Sequence, residues 1–390
     1  MIDSLRGALF VLVVTLAACS RSSPPLAHAG SECLLVPSGF GPAGKTQVRV
    51  DTVVTGLEVP WGIAFLPGGD WLVTERPGRI RLVRGGDLVG APVATVDIAR
   101  TGEAGLLGIA LHPQFASTSL FFVYATVEAG GQVENRILRY RLSNDHRSAT
   151  LDRVILGGIP AARFHDGGRL RIGPDGMLYA TTGDARAPER AQAPASLSGK
   201  LLRLTPDGAA APGNPVAGSP VFMLGLRNSQ GFDWRDSTWL YVTDHGPTGD
   251  LGLQGLDEVS VARRGDNLGW PDIHGCRTAA GKLAPSLTWT DAVPPGGAAV
   301  YTGTAIPEWR GSLLVGTLGS KHLHRVTFDA ANPRVVVSHE VYLEGDAPRG
   351  HGRLRDVVMG PDGHLYVTTS NCDGRGVCPA SKDRILRITR

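Results

Sequence analysis

The segment His165-Asp166-Gly167-Gly168-Arg169-Leu170 sets a histidine directly before a glycine pair and an apolar stretch. Imidazole titrates near neutrality and is the side chain best matched to taking a proton at physiological pH. The chain has 11 histidines, and a lone one is more often structural than catalytic, so His165 gains weight only if other groups converge on it. Three segments could do so. Arg353-Leu354-Arg355-Asp356 sets two guanidiniums at i and i+2, which on a strand point to one side and form an anion clamp. Arg227-Asn228 offers donors to an oxygen-rich ligand. Thr243-Asp244-His245-Gly246-Pro247 ends in two residues whose carbonyls suit a hard cation such as calcium. Each has a plainer reading too. Arg79/Arg81 and Arg139/Arg141 repeat the basic alternation, and a Gly-Pro pair is an ordinary end to a strand.

The elements that must carry these groups recur. A turn leads into an alternating apolar strand and then into a second strand of basic and apolar residues. The copies are Leu66–Thr74 with Arg79–Val83, Leu120–Tyr124 with Arg136–Leu142, and Gly173–Thr181 with Lys200–Leu204. Trp239–Thr243 with Glu258–Val261, Trp309–Val315 with His322–Val326, and Gly360–Thr368 with Arg384–Ile388 complete six. Period-two alternation predicts antiparallel strands, and repetition over tens of residues predicts a solenoid, propeller or array. Strand pairs without helical hairpins select an all-β, six-bladed β-propeller of four-stranded blades with long connecting loops. The Pro-Asp-Gly turns mark architecture, since proline and aspartate suit a tight turn and glycine supplies positive φ. The excess length falls in loops 183–198, 248–256 and 277–300, where a closed scaffold builds a ligand site.

Composition fits this picture. The chain has 390 residues, 42% hydrophobic and 19% charged, enough for a large core. Its 52 glycines and 27 prolines are spread along the chain, as turns between many short strands would be. A net charge of +3, with no Lys/Arg-rich run, gives no support for nucleic-acid binding. Residues 1–18 read as a lipoprotein-type signal peptide. Arg6 precedes an apolar run too short to span a bilayer, and Leu16-Ala17-Ala18-Cys19 resembles a lipobox. The expectation is export to the periplasm or outer membrane, a lipid anchor through Cys19, a tether over 19–45 and a propeller over 46–390. In an exported chain the remaining cysteines suggest disulfides: Cys372 with Cys378 across a short loop, and Cys33 with Cys276.

Taken in order, these segments resemble the soluble quinoprotein glucose/sorbosone dehydrogenases, the pyrroloquinoline quinone (PQQ)-dependent aldose sugar dehydrogenases. The resemblance runs from Gly56-Leu57-Glu58-Val59-Pro60-Trp61-Gly62 through Gly105-Leu106-Leu107-Gly108 and the His165 segment. It continues through Arg227-Asn228-Ser229-Gln230-Gly231, His245-Gly246-Pro247 and Asn267-Leu268-Gly269-Trp270-Pro271 to Arg353-Leu354-Arg355-Asp356. It implies a six-bladed propeller, with PQQ and calcium as cofactors. It implies that His165 takes the proton of an aldose C1 hydroxyl while hydride passes to the quinone C5, giving a lactone. Arg227 and Asn228 would polarise that carbonyl, with His245 lining the cofactor. Arg353 and Arg355 would hold cofactor carboxylates. Gly246 and Pro247 would bind the calcium, and Glu103 and Tyr301 would face the sugar. Electrons would leave to an external acceptor.

The chain departs from the family pattern in four places. Gly319 stands where the family commonly has lysine, so Lys321 is the candidate substitute. Glu103 replaces a usual glutamine. Phe164 is an apolar neighbour of the base. Extra residues follow Pro247 before Asp257-Glu258. Two other classes fit less well: a calcium-dependent lactonase or other hydrolase on a propeller, and a non-catalytic carbohydrate-binding propeller.

Overall fold

The computed structural model describes residue 1, residues 32–99 and residues 101–390. The expected signal peptide beyond Met1, and Cys19, lie outside the described residues. Residues Glu32–Arg390 form one compact unit.

Its strands form six antiparallel sheets arranged as blades. The innermost strands are Pro60–Phe65, Leu106–Leu111, Leu170–Ile172, Gly231–Trp234, Pro295–Val300 and Leu354–Met359, numbered here as blades 1 to 6. The six repeats read from the sequence are the second and third strands of each blade, such as Trp71–Glu75 beside Arg79–Arg84. The inner strands lie before the turn at which each repeat was read to begin, so they fell outside it.

Alternation along each second strand explains the closure. Leu72, Phe121, Leu178, Tyr241, Leu314 and Val367 pack toward one neighbouring blade, while Val73, Phe122, Tyr179, Val242, Val315 and Tyr366 pack toward the other. The buried apolar residues accordingly fall into six clusters, one at each blade interface. Both faces of every blade are therefore core.

The ring closes within blade 6. Its inner three strands come from the C-terminal part of the chain, and its outer strand, Arg49–Leu57, comes from the N-terminal part and pairs with Asp383–Thr389. The described part of the expected tether is docked rather than free. Leu34–Val36 adds to blade 4 in parallel with Leu287–Trp289, and Ala43 bridges Val341 of blade 5. Both disulfides form as expected. Cys33–Cys276 ties the N-terminal segment to the body, and Cys372–Cys378 closes a loop after the second strand of blade 6.

Candidate active site

Adjacent strands of a blade run antiparallel, so the entry to each inner strand and the exit of the next strand share one face of the ring. His165 and Arg227-Asn228 precede inner strands of blades 3 and 4, while Asp184, His245 and Asp373 follow second strands. They meet at a cavity of about 340 Å³, within the range of small-molecule sites.

His165 is 5% exposed and sits at φ 69°, a left-handed backbone that costs a non-glycine residue energy and clusters at functional sites. The fold accommodates its carbonyl through Gly183, where a Cβ would lie 1.9 Å from that oxygen. His165 Nδ1 bonds Asp184 Oδ1 at 2.8 Å. A carboxylate only accepts here, so the proton belongs on Nδ1 and Nε2 keeps its lone pair. Asp184 is itself fixed by Trp270 Nε1 at 2.9 Å and the Arg186 amide at 2.8 Å. This is the arrangement of an oriented general base. Asp184 was missed in the sequence, where it is one aspartate among many. Its only signal was its place just beyond Tyr179-Ala180-Thr181, in a loop read as site-forming.

Arg227 and Asn228 are anchored from behind by Asp244, which accepts both amides at 2.7 Å. Asn228 Oδ1 accepts the Gly167 amide at 3.0 Å, tying the Arg-Asn step to the turn after the base. His245 Nε2 meets the Pro295 carbonyl at 2.9 Å, so that nitrogen donates and Nδ1 accepts from Asn228 Nδ2 at 3.2 Å. Burial pushes the His245 imidazole down to about 3, leaving it neutral at pH 7.

Arg353 and Arg355 point the same way, as their spacing required, and both reach Asp373 Oδ2, at 2.9 Å and 3.4 Å. Burial lowers Arg355 to about 10, still charged at neutral pH. Burial by itself would raise Glu103, but the hydrogen bond and charge of the Arg375 guanidinium hold its carboxyl below the ordinary range. Arg375 bonds Glu103 at 2.6 Å. Arg76 lines the same wall, and among the described residues its side chain pairs with no carboxylate and makes one hydrogen bond, to the Asp373 carbonyl at 3.3 Å. Trp61 also lines the cavity, with the Arg169 guanidinium 4.3 Å from its ring. Six guanidiniums thus line or rim the cavity, against the partner carboxylates Glu103, Asp250 and Asp373. Arg76 and Arg375 had no motif of their own to flag them, and Trp61, although within the Gly56–Gly62 segment, was given no role.

Two expectations need correction. Lys321 is turned away from the cavity and pairs with Asp346 at 2.6 Å, so it does not replace the family lysine. Tyr301 is fully buried in the core between blades 5 and 6, accepting the Ile306 amide at 3.1 Å. The inner strand of blade 5 starts at the cavity and carries Tyr301 to its far end, about 20 Å away at the usual rise per residue. Gly246 lines the cavity, with Pro247 next to it in the chain.

The site therefore belongs to a propeller protein with a buried base beside a cationic, aromatic-floored cavity. The glucose/sorbosone dehydrogenase family model matches residues 57–386, and the chain belongs to that family. It is similar to an aldose sugar dehydrogenase of Escherichia coli K12, 31% identical over 358 residues covering 85% of this chain and 92% of the relative. A PQQ-bound aldose sugar dehydrogenase structure from Streptomyces coelicolor superposes with a TM-score of 0.77 at 36% identity, over 90% of this chain and 99% of that one. Quinoprotein glucose dehydrogenase B of Acinetobacter calcoaceticus is 25% identical over 433 residues, covering 86% and 88%.

Proposed function

We propose that this protein oxidises aldoses at C1 to lactones, with PQQ as the oxidant and calcium beside it, and passes the electrons to an external acceptor. The observation that carries the reading is the convergence of the Asp184-oriented His165 on a cavity where guanidiniums exceed their carboxylate partners. PQQ has three carboxylates, an anionic rim that these cations suit. Arg353, Arg355 and Arg76 would hold carboxylates, with Trp61 as the flat floor. Arg227 and Asn228 would donate to the quinone oxygens. The Gly246 and Pro247 carbonyls accept no hydrogen bond among the described residues, which suits a hard cation. When bound, PQQ supplies the two-electron acceptor.

The remaining chemistry belongs to the side chains. His165 Nε2 takes the proton of the sugar C1 hydroxyl, and Asp184 stabilises the imidazolium that results. Fixed donors at Arg227 and Asn228 require no reorganisation as negative charge grows opposite them. Glu103, held ionised, accepts from sugar hydroxyls, and Phe164 offers an apolar face between Arg163 and Arg375. Export and anchoring through Cys19 would place this oxidation outside the cytoplasm.

The test is reconstitution of apo-protein with PQQ and calcium, followed by aldoses and a redox dye. Dye reduction that needs quinone and is lost in His165→Ala is the expected result. Calcium-dependent lactone hydrolysis without quinone, or quinone uptake without turnover, would overturn it.

A further inference from the structure

The loop over 248–256 is where the chain adds residues to the family pattern, and it delivers one carboxylate to the edge of the cavity. Asp250 opens a short 3-10 turn, Asp250–Gly252. Its Oδ2 accepts from Arg227 Nε at 3.2 Å, from Arg227 Nη2, and from the Thr248 amide at 3.2 Å. Its Oδ1 accepts from Arg186 Nη1 at 2.9 Å.

A guanidinium has five N–H groups. Asp250 takes two from Arg227. Thr248 Oγ1 takes another at 3.1 Å, and the His245 carbonyl a fourth at 3.3 Å. One N–H remains, on Nη1 of a side chain that is 2% exposed and lines the cavity. Trp270 lies against the guanidinium, 5.6 Å to its ring centre. Arg227 therefore has one orientation and one donor to offer. The same carboxylate reaches the other half of the site. The Arg186 amide bonds the Asp184 oxygen that holds His165. A connection thus runs from the base through Asp184 to the Arg186 amide, along the Arg186 side chain to its guanidinium, and through Asp250 to Arg227.

We propose that Asp250 is a positioning residue for Arg227. It fixes which N–H of that arginine meets the quinone oxygen, and it links the electron-receiving side of the site to the turn that orients the base. The proposal rests on the function proposed above. Charge alone does not account for the contact, because a carboxylate beside Arg227 works against an anionic cofactor. Its benefit must lie in reacting geometry, where small misplacements cost up to about a hundredfold in rate.

This sets binding against turnover, a split that a merely structural residue would not give. Full-length Asp250→Ala, Asp250→Asn and Arg186→Gln proteins are titrated with PQQ in the presence of calcium. Tryptophan quenching gives Kd, the bound quinone absorption band reports the donor at its oxygen, and an aldose with dye gives kcat and KM. Asp250→Ala is expected to bind PQQ as tightly as the wild type or more so, to shift the bound band, and to lose roughly 10–100-fold in kcat with KM unchanged. Asp250→Asn, which keeps an acceptor and the side-chain shape, falls between and decides the matter if the alanine variant does not fold. Arg186→Gln shows a smaller loss in the same direction. A kcat within about twofold of wild type in the Asp250 variants overturns the proposal. So does weakened PQQ binding with kcat intact, which would make Asp250 part of the binding cup. Wild-type protein that takes up no quinone is a separate result, and it sinks the functional reading itself.

Discussion

At the residue scale, the site depends on buried carboxylates doing different jobs. Asp184 fixes the tautomer of His165. Asp184→Asn keeps the shape but can present an N–H to Nδ1, favouring the wrong tautomer, so kcat should fall by at least about a hundredfold while PQQ still binds. Single-turnover reduction of the bound quinone checks this. Asp166 does something else. Its Oδ1 accepts from Asn135 and Ala162, its Oδ2 has no partner among the described residues, and burial pushes its carboxyl up to about 7. The folded state keeps a proton that the unfolded chain releases above about pH 4. The stability this confers is complete below that pH and is lost as pH rises through about 7. Asp166→Asn should therefore melt a few degrees above wild type at about pH 8 and level with it at about pH 4, as calorimetry at both values would show. His165, Arg227, Asn228, His245, Arg353 and Arg355 were legible because each sits in an ordered motif. Asp184, Arg76 and Asp250 were not, since their roles come from partners distant in sequence.

At the element scale, strand ends decide what reaches the cavity. The repeat was readable because a strand buried on both faces must be apolar throughout or alternate large side chains between two cores, as Leu201/Leu202 do. Direction along a strand was not readable, and it misplaced Tyr301: the residue type was suitable, but it lies at the wrong end of blade 5. Lys321 failed for a related reason, because the turn after Leu318 aims it at Asp346. The loop closed by Cys372–Cys378 holds both Asp373 and Arg375 at the cavity. Replacing both cysteines with serine should cost about 2 kcal/mol by chain entropy. It should also weaken PQQ binding more than it slows turnover of the bound cofactor. Denaturant melts and quinone titration of the same variant separate the two effects, and unchanged quinone affinity would mean that the loop holds its shape without the bridge.

At the scale of the whole molecule, six blades make a rigid ring, and the site draws on loops from all around it. Ring closure through Arg49–Leu57 pairing with Asp383–Thr389 makes that rigidity depend on a strand near the start of the propeller. Removing residues 46–57 should leave blade 6 with an open edge and abolish the single cooperative transition in calorimetry. A truncated chain that melts like the intact one would show that the inner strands alone hold the ring. The central claim, a cationic cup for an anionic tricyclic quinone beside an oriented imidazole, is tested most directly by absorbance titration of PQQ into calcium-loaded apo-protein at rising salt. The account predicts a saturable one-to-one spectral change whose affinity weakens as ionic strength screens the arginines. A quinone spectrum that stays the same at every protein concentration would contradict it.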